Sequence, residues 1–74
     1  MYAEMFPSKL KKARINTGLT QREVSKEIGI PYSTIANYET GRTQPDIETL
    51  GILADFYNVS VDWLLGTKGG KRES

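Results

Sequence analysis

Cysteine and histidine are both absent from the 74 residues. That excludes disulfide staples, Cys/His zinc sites, haem ligation and every catalytic arrangement built on an imidazole or a thiol. Net charge of one sign is nearly absent too, at +1. No apolar run approaches the length of a membrane span. The opening stretch Met1-Tyr2-Ala3-Glu4-Met5-Phe6-Pro7 has an acid and lacks the apolar centre of a secretion signal, so an intracellular, cytoplasmic protein is expected. The Ser and Thr hydroxyls have no imidazole base, the carboxylates are scattered at helix starts, and no glycine-rich phosphate loop follows a strand. Neither an enzyme nor a cofactor or metal is expected.

What is present is the composition of one small globular domain, 38% apolar and 26% charged. With no staple, such a domain depends on a well-packed core, and a partner subunit would help it. The charges are unevenly placed. Residues 1–29 set Lys9, Lys11, Lys12, Arg14, Arg22 and Lys26 against Glu4, Glu23 and Glu27. Residues 46–66 carry Asp46, Glu48, Asp55 and Asp62 and no base. The first half suits a polyanion and the later segment would be repelled by one, although an ordinary solvated surface accounts for the same pattern.

Short helical segments alternate with turn signals, and no stretch alternates like a strand. A first helix is expected over Pro7–Thr17, with Phe6, Leu10 and Ala13 as its apolar stripe and Gly18 at its end. A second starts at Thr20-Gln21-Arg22-Glu23, a capping box with Leu19 and Val24 as a hydrophobic staple, and closes at Gly29. A third runs from Pro31 to Thr40 and stops at Gly41. Only Gly29-Ile30-Pro31 separates the second from the third, which reads as helix-turn-helix. Asp46 caps a fourth helix with Ile47, Leu50, Leu53, Ala54 and Tyr57 on its apolar face, Gly51 inside it and Asn58 at its end. Ser60 caps a fifth, Val61–Leu65. Residues 67–74 read as a flexible basic tail or the start of a linker.

On a helical wheel, Ile35 and Tyr38 of the third helix fall on one side, and Tyr32, Ser33, Ala36, Asn37 and Thr40 fall on the other. The second face carries no charge, only short hydrogen-bonding groups, a methyl and a phenol. A solvated face normally carries Lys and Glu. A neutral face of this kind suits the major groove, where Asn pairs with adenine, Ser and Thr bond either donors or acceptors, and an alanine methyl meets thymine. The competing reading is close packing against another protein helix. The preceding turn favours DNA.

Leu19-Thr20-Gln21, Val24, Ile28-Gly29-Ile30, Ser33-Thr34-Ile35, Tyr38-Glu39, Gly41, Pro45, Val59-Ser60, Asp62 and Leu64-Leu65-Gly66 together resemble the Cro/phage-repressor (Xre-like) helix-turn-helix family. The match covers Lys9 to Gly66. The resemblance implies an all-α, compact five-helix bundle of the lambda-repressor type over residues 1–66, with its helix-turn-helix core at 20–40. It implies a sequence-specific regulator of transcription, most often a repressor, that binds near-palindromic double-stranded operator DNA as a homodimer.

By resemblance, Tyr32, Ser33 and Asn37 hold base-reading positions, with Ala36 and Thr40 on the same face. Gln21, Thr34, Arg42 and Thr43 lie toward phosphates, Gln21 also bracing the reading helix. Arg14 and Glu39 match an internal ion pair. Tyr32 departs from the family, where Gln or Arg is frequent. Ile52, Phe56 and Trp63 fall off the inward stripe of the last two helices and are candidates for a subunit seam, with extra core burial as the alternative for Trp63. An antitoxin-like or other protein-interaction module on the same fold is the rival function. The tail also allows the chain to be the front of a longer repressor.

Overall fold

The computed structural model describes residues 4–66; the expected tail at 67–74 lies outside them. Five helices follow one another: α1 (Phe6–Thr17), α2 (Gln21–Ile28), α3 (Tyr32–Thr40), α4 (Ile47–Tyr57) and α5 (Val61–Leu65), with no strand among the described residues. The helix starts are set by local chemistry. Thr20 Oγ1 accepts the Glu23 N–H at 3.1 Å, and Glu23 Oε1 accepts the Thr20 N–H at 2.8 Å, completing the capping box. Asp46 Oδ1 accepts the Thr49 N–H at 2.8 Å, and Ser60 Oγ accepts the Trp63 N–H at 3.0 Å. These bonds satisfy donors that a bare helix end leaves open.

Two glycines shape the region that matters most. Gly29, at φ 77°, ends α2 in the left-handed region and turns the chain into α3 within three residues. Gly41, at φ 82°, ends α3, and a Cβ there would lie 3.3 Å from Pro7 Cγ, so the end of α3 sits tightly on the start of α1. The helix bounds differ from the expected ones by one residue at Phe6 and at Pro31. Pro31 is extended, at ψ 140°, and serves as the cap of α3, its carbonyl accepting the Thr34 and Ile35 N–H groups at 3.0 and 3.2 Å.

α1 is the hub. It packs against α3, α4 and α5, while α2 rests on α3 and α4 on α5. The core joins Phe6, Leu10 and Ala13 of α1 to Val24, Ile35, Tyr38, Leu53, Ala54, Tyr57 and Leu64. Leu10, Val24, Ile35, Leu53 and Leu64 are fully buried, each contributing about 1.5–3 kcal/mol of transfer free energy. This burial is what holds α2 and α3 at a fixed mutual angle.

One residue of the expected apolar face is misplaced. Ile47 is 89% exposed. It lies off the α4 stripe defined by Leu53 and Tyr57, roughly 100° from its centre by helical geometry, and in the first turn, where the chain has just left the loop after α3. No described residue covers that corner.

Candidate nucleic-acid interface

The site is assembled from the buried side outward. Ile35, Tyr38 and Glu39 of α3 face the interior. A buried carboxylate needs partners, and Glu39 has three N–H groups from two other helices. Arg14 of α1 donates Nε to Glu39 Oε2 at 2.7 Å and an Nη to Oε1 at 3.0 Å, a bidentate fork. Gln21 of α2 donates Nε2 to the same Oε1 at 3.0 Å. A further Arg14 Nη reaches the Leu19 carbonyl at 2.9 Å. The side chains are 12% and 2% exposed for Arg14 and Glu39. The hydrogen bond to Glu39, opposed by burial, raises the Arg14 pKa above its ordinary value, so the guanidinium stays charged. One carboxylate therefore ties α3 to α1 and to α2, and its charge is cancelled before it can face a polyanion.

Tyr57 lies beside this clamp with its hydroxyl buried and unpaired among the described residues. Burial, with help from the Glu39 charge and against that of Arg14, pushes its pKa up to about 12. The phenol remains neutral at any physiological pH.

The opposite face of α3 is open. Tyr32, Ser33 and Thr40 are exposed, and Ala36, Asn37 and Thr34 are partly buried. Among the described residues the Ser33 hydroxyl and the Asn37 carboxamide make no hydrogen bond. Thr40 Oγ1 donates to the Asn37 carbonyl at 3.2 Å. The same carbonyl accepts the Arg42 and Thr43 N–H groups at 2.9 and 3.4 Å. This fastens the loop after Gly41 against the end of α3 and leaves the Arg42 and Thr43 side chains exposed.

At the other end of α3, Arg22 of α2 crosses the turn. Its Cζ sits 4.2 Å from the Tyr32 ring centroid and an Nη donates to the Tyr32 hydroxyl at 3.1 Å. Both residues remain exposed. No group of three or more His, Cys, Asp or Glu side chains among the described residues is placed to hold a metal. No described helix is long and apolar enough to cross a membrane.

Comparison with known proteins agrees with this architecture. Residues 10–64 match the model of a family described as helix-turn-helix. The chain belongs to the helix-turn-helix family. Among curated relatives, it is 43% identical over 58 residues to the HTH-type transcriptional regulator ImmR of Bacillus subtilis, covering 78% of this chain and 46% of that protein. It is 38% identical over 61 residues to the SPbeta prophage-derived HTH-type transcriptional regulator YonR of B. subtilis, covering 82% and 56%. It is 40% identical over 57 residues to the cryptic phage CTXphi transcriptional repressor RstR of Vibrio cholerae, covering 77% and 51%. The chain spans about half the length of these relatives.

In this helix-turn-helix protein the residues expected to read bases share the open face of α3, and Arg42 and Thr43 lie in the loop that follows it. Arg14 and Glu39 pair as the resemblance implied. Gln21 is partly buried with one N–H committed to Glu39. Of the seam candidates, Ile52 is 45% exposed. Phe56 and Trp63 are partly buried against the core: the Phe56 ring stands edge-on to Tyr57 at 5.3 Å, and Lys9 Nζ lies 4.6 Å from the Trp63 ring centroid. Two features went unread in the sequence, the Leu19 carbonyl in the clamp and the Arg22–Tyr32 contact. For the second there was a signal. A cation in the first turn of α2 opposes the helix dipole and needs another reason to be there.

Proposed function

We propose that residues 1–66 form the DNA-binding domain of a cytoplasmic transcriptional repressor that is not an enzyme. α3 lies in the major groove of operator DNA. Asn37 pairs with an adenine edge, and Tyr32, Ser33, Ala36 and Thr40 contact neighbouring bases. Gln21, Thr34, Arg42 and Thr43 hold the flanking phosphates and fix the register. Gln21 serves two roles, since an amide nitrogen has a second N–H beside the one given to Glu39. The observation that carries this reading is a neutral helix face whose Asn37 and Ser33 side chains are unpartnered among the described residues, standing on a buried ionic clamp. RstR, named as a transcriptional repressor, supports repression.

Two copies pair through the α4–α5 side, around Ile52 and the exposed parts of Phe56 and Trp63. The acidic segment there then points away from the duplex, and the two reading helices sit ~34 Å apart on a near-palindromic site. Selection from random duplexes, followed by binding at several salt concentrations, tests the proposal. Enrichment of a two-fold site is expected, with affinity falling steeply as salt rises. Absence of any enriched duplex, or salt-independent binding to a protein partner instead, would show that the fold here serves protein interaction.

A further inference from the structure

Arg22 is exposed, makes no ion pair among the described residues, and sits in the first turn of α2, where a cation is electrostatically disfavoured. Its neighbour Glu23 is committed to the Thr20 N–H. The Arg22 guanidinium instead stacks on Tyr32 at 4.2 Å and bonds its hydroxyl at 3.1 Å. Stacking and hydrogen bonding together fix both the plane of the ring and the position of its oxygen. Tyr32 is the first residue of α3, on the open face, and is still 44% exposed. The Tyr32 oxygen accepts from Arg22, so the hydroxyl proton remains to be given away, and the guanidinium keeps further N–H groups. The pair thus offers outward donors and positive charge, with its acceptor already engaged.

We infer that Arg22 is a specificity-determining positioning residue, and that the Arg22–Tyr32 pair acts as one donor-only unit selecting guanine at one position of each half-site. Guanine presents two adjacent acceptors, N7 and O6, in the major groove, whereas thymine presents one acceptor beside its methyl group, cytosine a donor, and adenine a donor beside its acceptor. The inference rests on the DNA reading proposed above.

The experiment is random-duplex selection with the wild-type chain, Arg22→Ala, Arg22→Lys, Tyr32→Phe and the double variant Arg22→Ala/Tyr32→Phe. Each is checked for an unchanged melting curve, as expected for exposed positions. The wild type is expected to show a guanine column that relaxes in Arg22→Ala and in Tyr32→Phe while the other columns stay. Affinity for the selected site should fall about tenfold in each, and the double variant should be little worse than either single one. Arg22→Lys keeps the charge and the salt slope but loses the planar stack, so its column relaxes too.

A wild type that enriches no duplex removes the DNA reading and this inference with it. A wild type that binds normally overturns the inference alone in three cases. The first is that Arg22→Ala weakens all duplexes equally with no column changed. The second is that the two single effects multiply. The third is that the responsive column holds any base other than guanine.

Discussion

Replacing Arg14 by Met keeps the aliphatic stem in place and removes three donated hydrogen bonds, two to Glu39 and one to the Leu19 carbonyl. The Glu39 carboxylate, 2% exposed, is then left with the single Gln21 N–H. Removing one partner of a buried pair costs about 3–5 kcal/mol, because the remaining charge is neither solvated nor paired. A chain of this length has a total stability of roughly 4–11 kcal/mol at typical per-residue values, so the loss takes a large share of it. At about 4–8 °C of melting temperature per kcal/mol, Arg14→Met should melt at least ~12 °C lower. Urea titration followed by the fluorescence of Trp63, the one tryptophan, gives the free energy directly. The double variant Arg14→Met/Glu39→Leu removes the stranded charge and should regain much of the loss, short of what the unpaired Gln21 and Leu19 groups cost. An Arg14→Met unfolding free energy within about 1 kcal/mol of wild type would mean that the pair is solvent-screened rather than buried, since that is the range of a surface pair. A double variant less stable than the single one would likewise show that Glu39 is not left stranded.

Asn37→Ala should weaken binding to the selected duplex by ~1–3 kcal/mol and blur one base column, read by competition against a panel of single-base variants. Arg42→Ala should lower affinity for all duplexes alike and flatten the salt dependence by about one unit of slope per subunit, seen in a salt titration. Gly51→Ala should stabilise the domain by about 0.5–1 kcal/mol in urea, because Gly51 is helical and exposed and an added Cβ meets nothing within 4 Å. At alkaline pH, Tyr57 keeps its proton up to about 12 in the folded chain against about 10 when unfolded. Between those values the unfolded state holds fewer protons, so stability falls as pH rises. The loss is about 1–2 kcal/mol after allowing for solvent screening, and Tyr57→Phe should abolish the Tyr57 share of it in pH-dependent urea titrations.

The parts of the fold that local chemistry decides could be read from the chain alone. Thr20 with Glu23, Asp46, Ser60 and the closing Gly29 and Gly41 act within a few residues of themselves, so the five helices and the tight turn follow from neighbours in sequence. Facial periodicity found Phe6, Leu10, Ala13, Ile35 and Tyr38 for the same reason. It failed at Ile47 because a helical wheel says which way a residue points and not whether another element stands there. Phe56 and Trp63 lie off the main stripes, yet both are partly buried against the core, because a small bundle wraps its large rings around its flanks. At the site, the neutral face of α3 was visible as a composition. The Gln21–Glu39 bond and the Arg22–Tyr32 stack depend on how α2 crosses α3, which no spacing along the chain encodes. The Arg14–Glu39 pair, 25 residues apart, was reached only through family resemblance.

If the uncharged face of α3 enters the duplex, its backbone amides must sense the added DNA. Amide chemical shifts of the isotope-labelled domain, recorded while the selected duplex is added, report on this residue by residue. The largest changes are expected along Tyr32–Thr40 and at Arg42 and Thr43, with α5 little affected beyond its subunit contacts. Changes concentrated on α4 and α5, with Ser33 and Asn37 unmoved, would contradict the entry of α3 into the duplex.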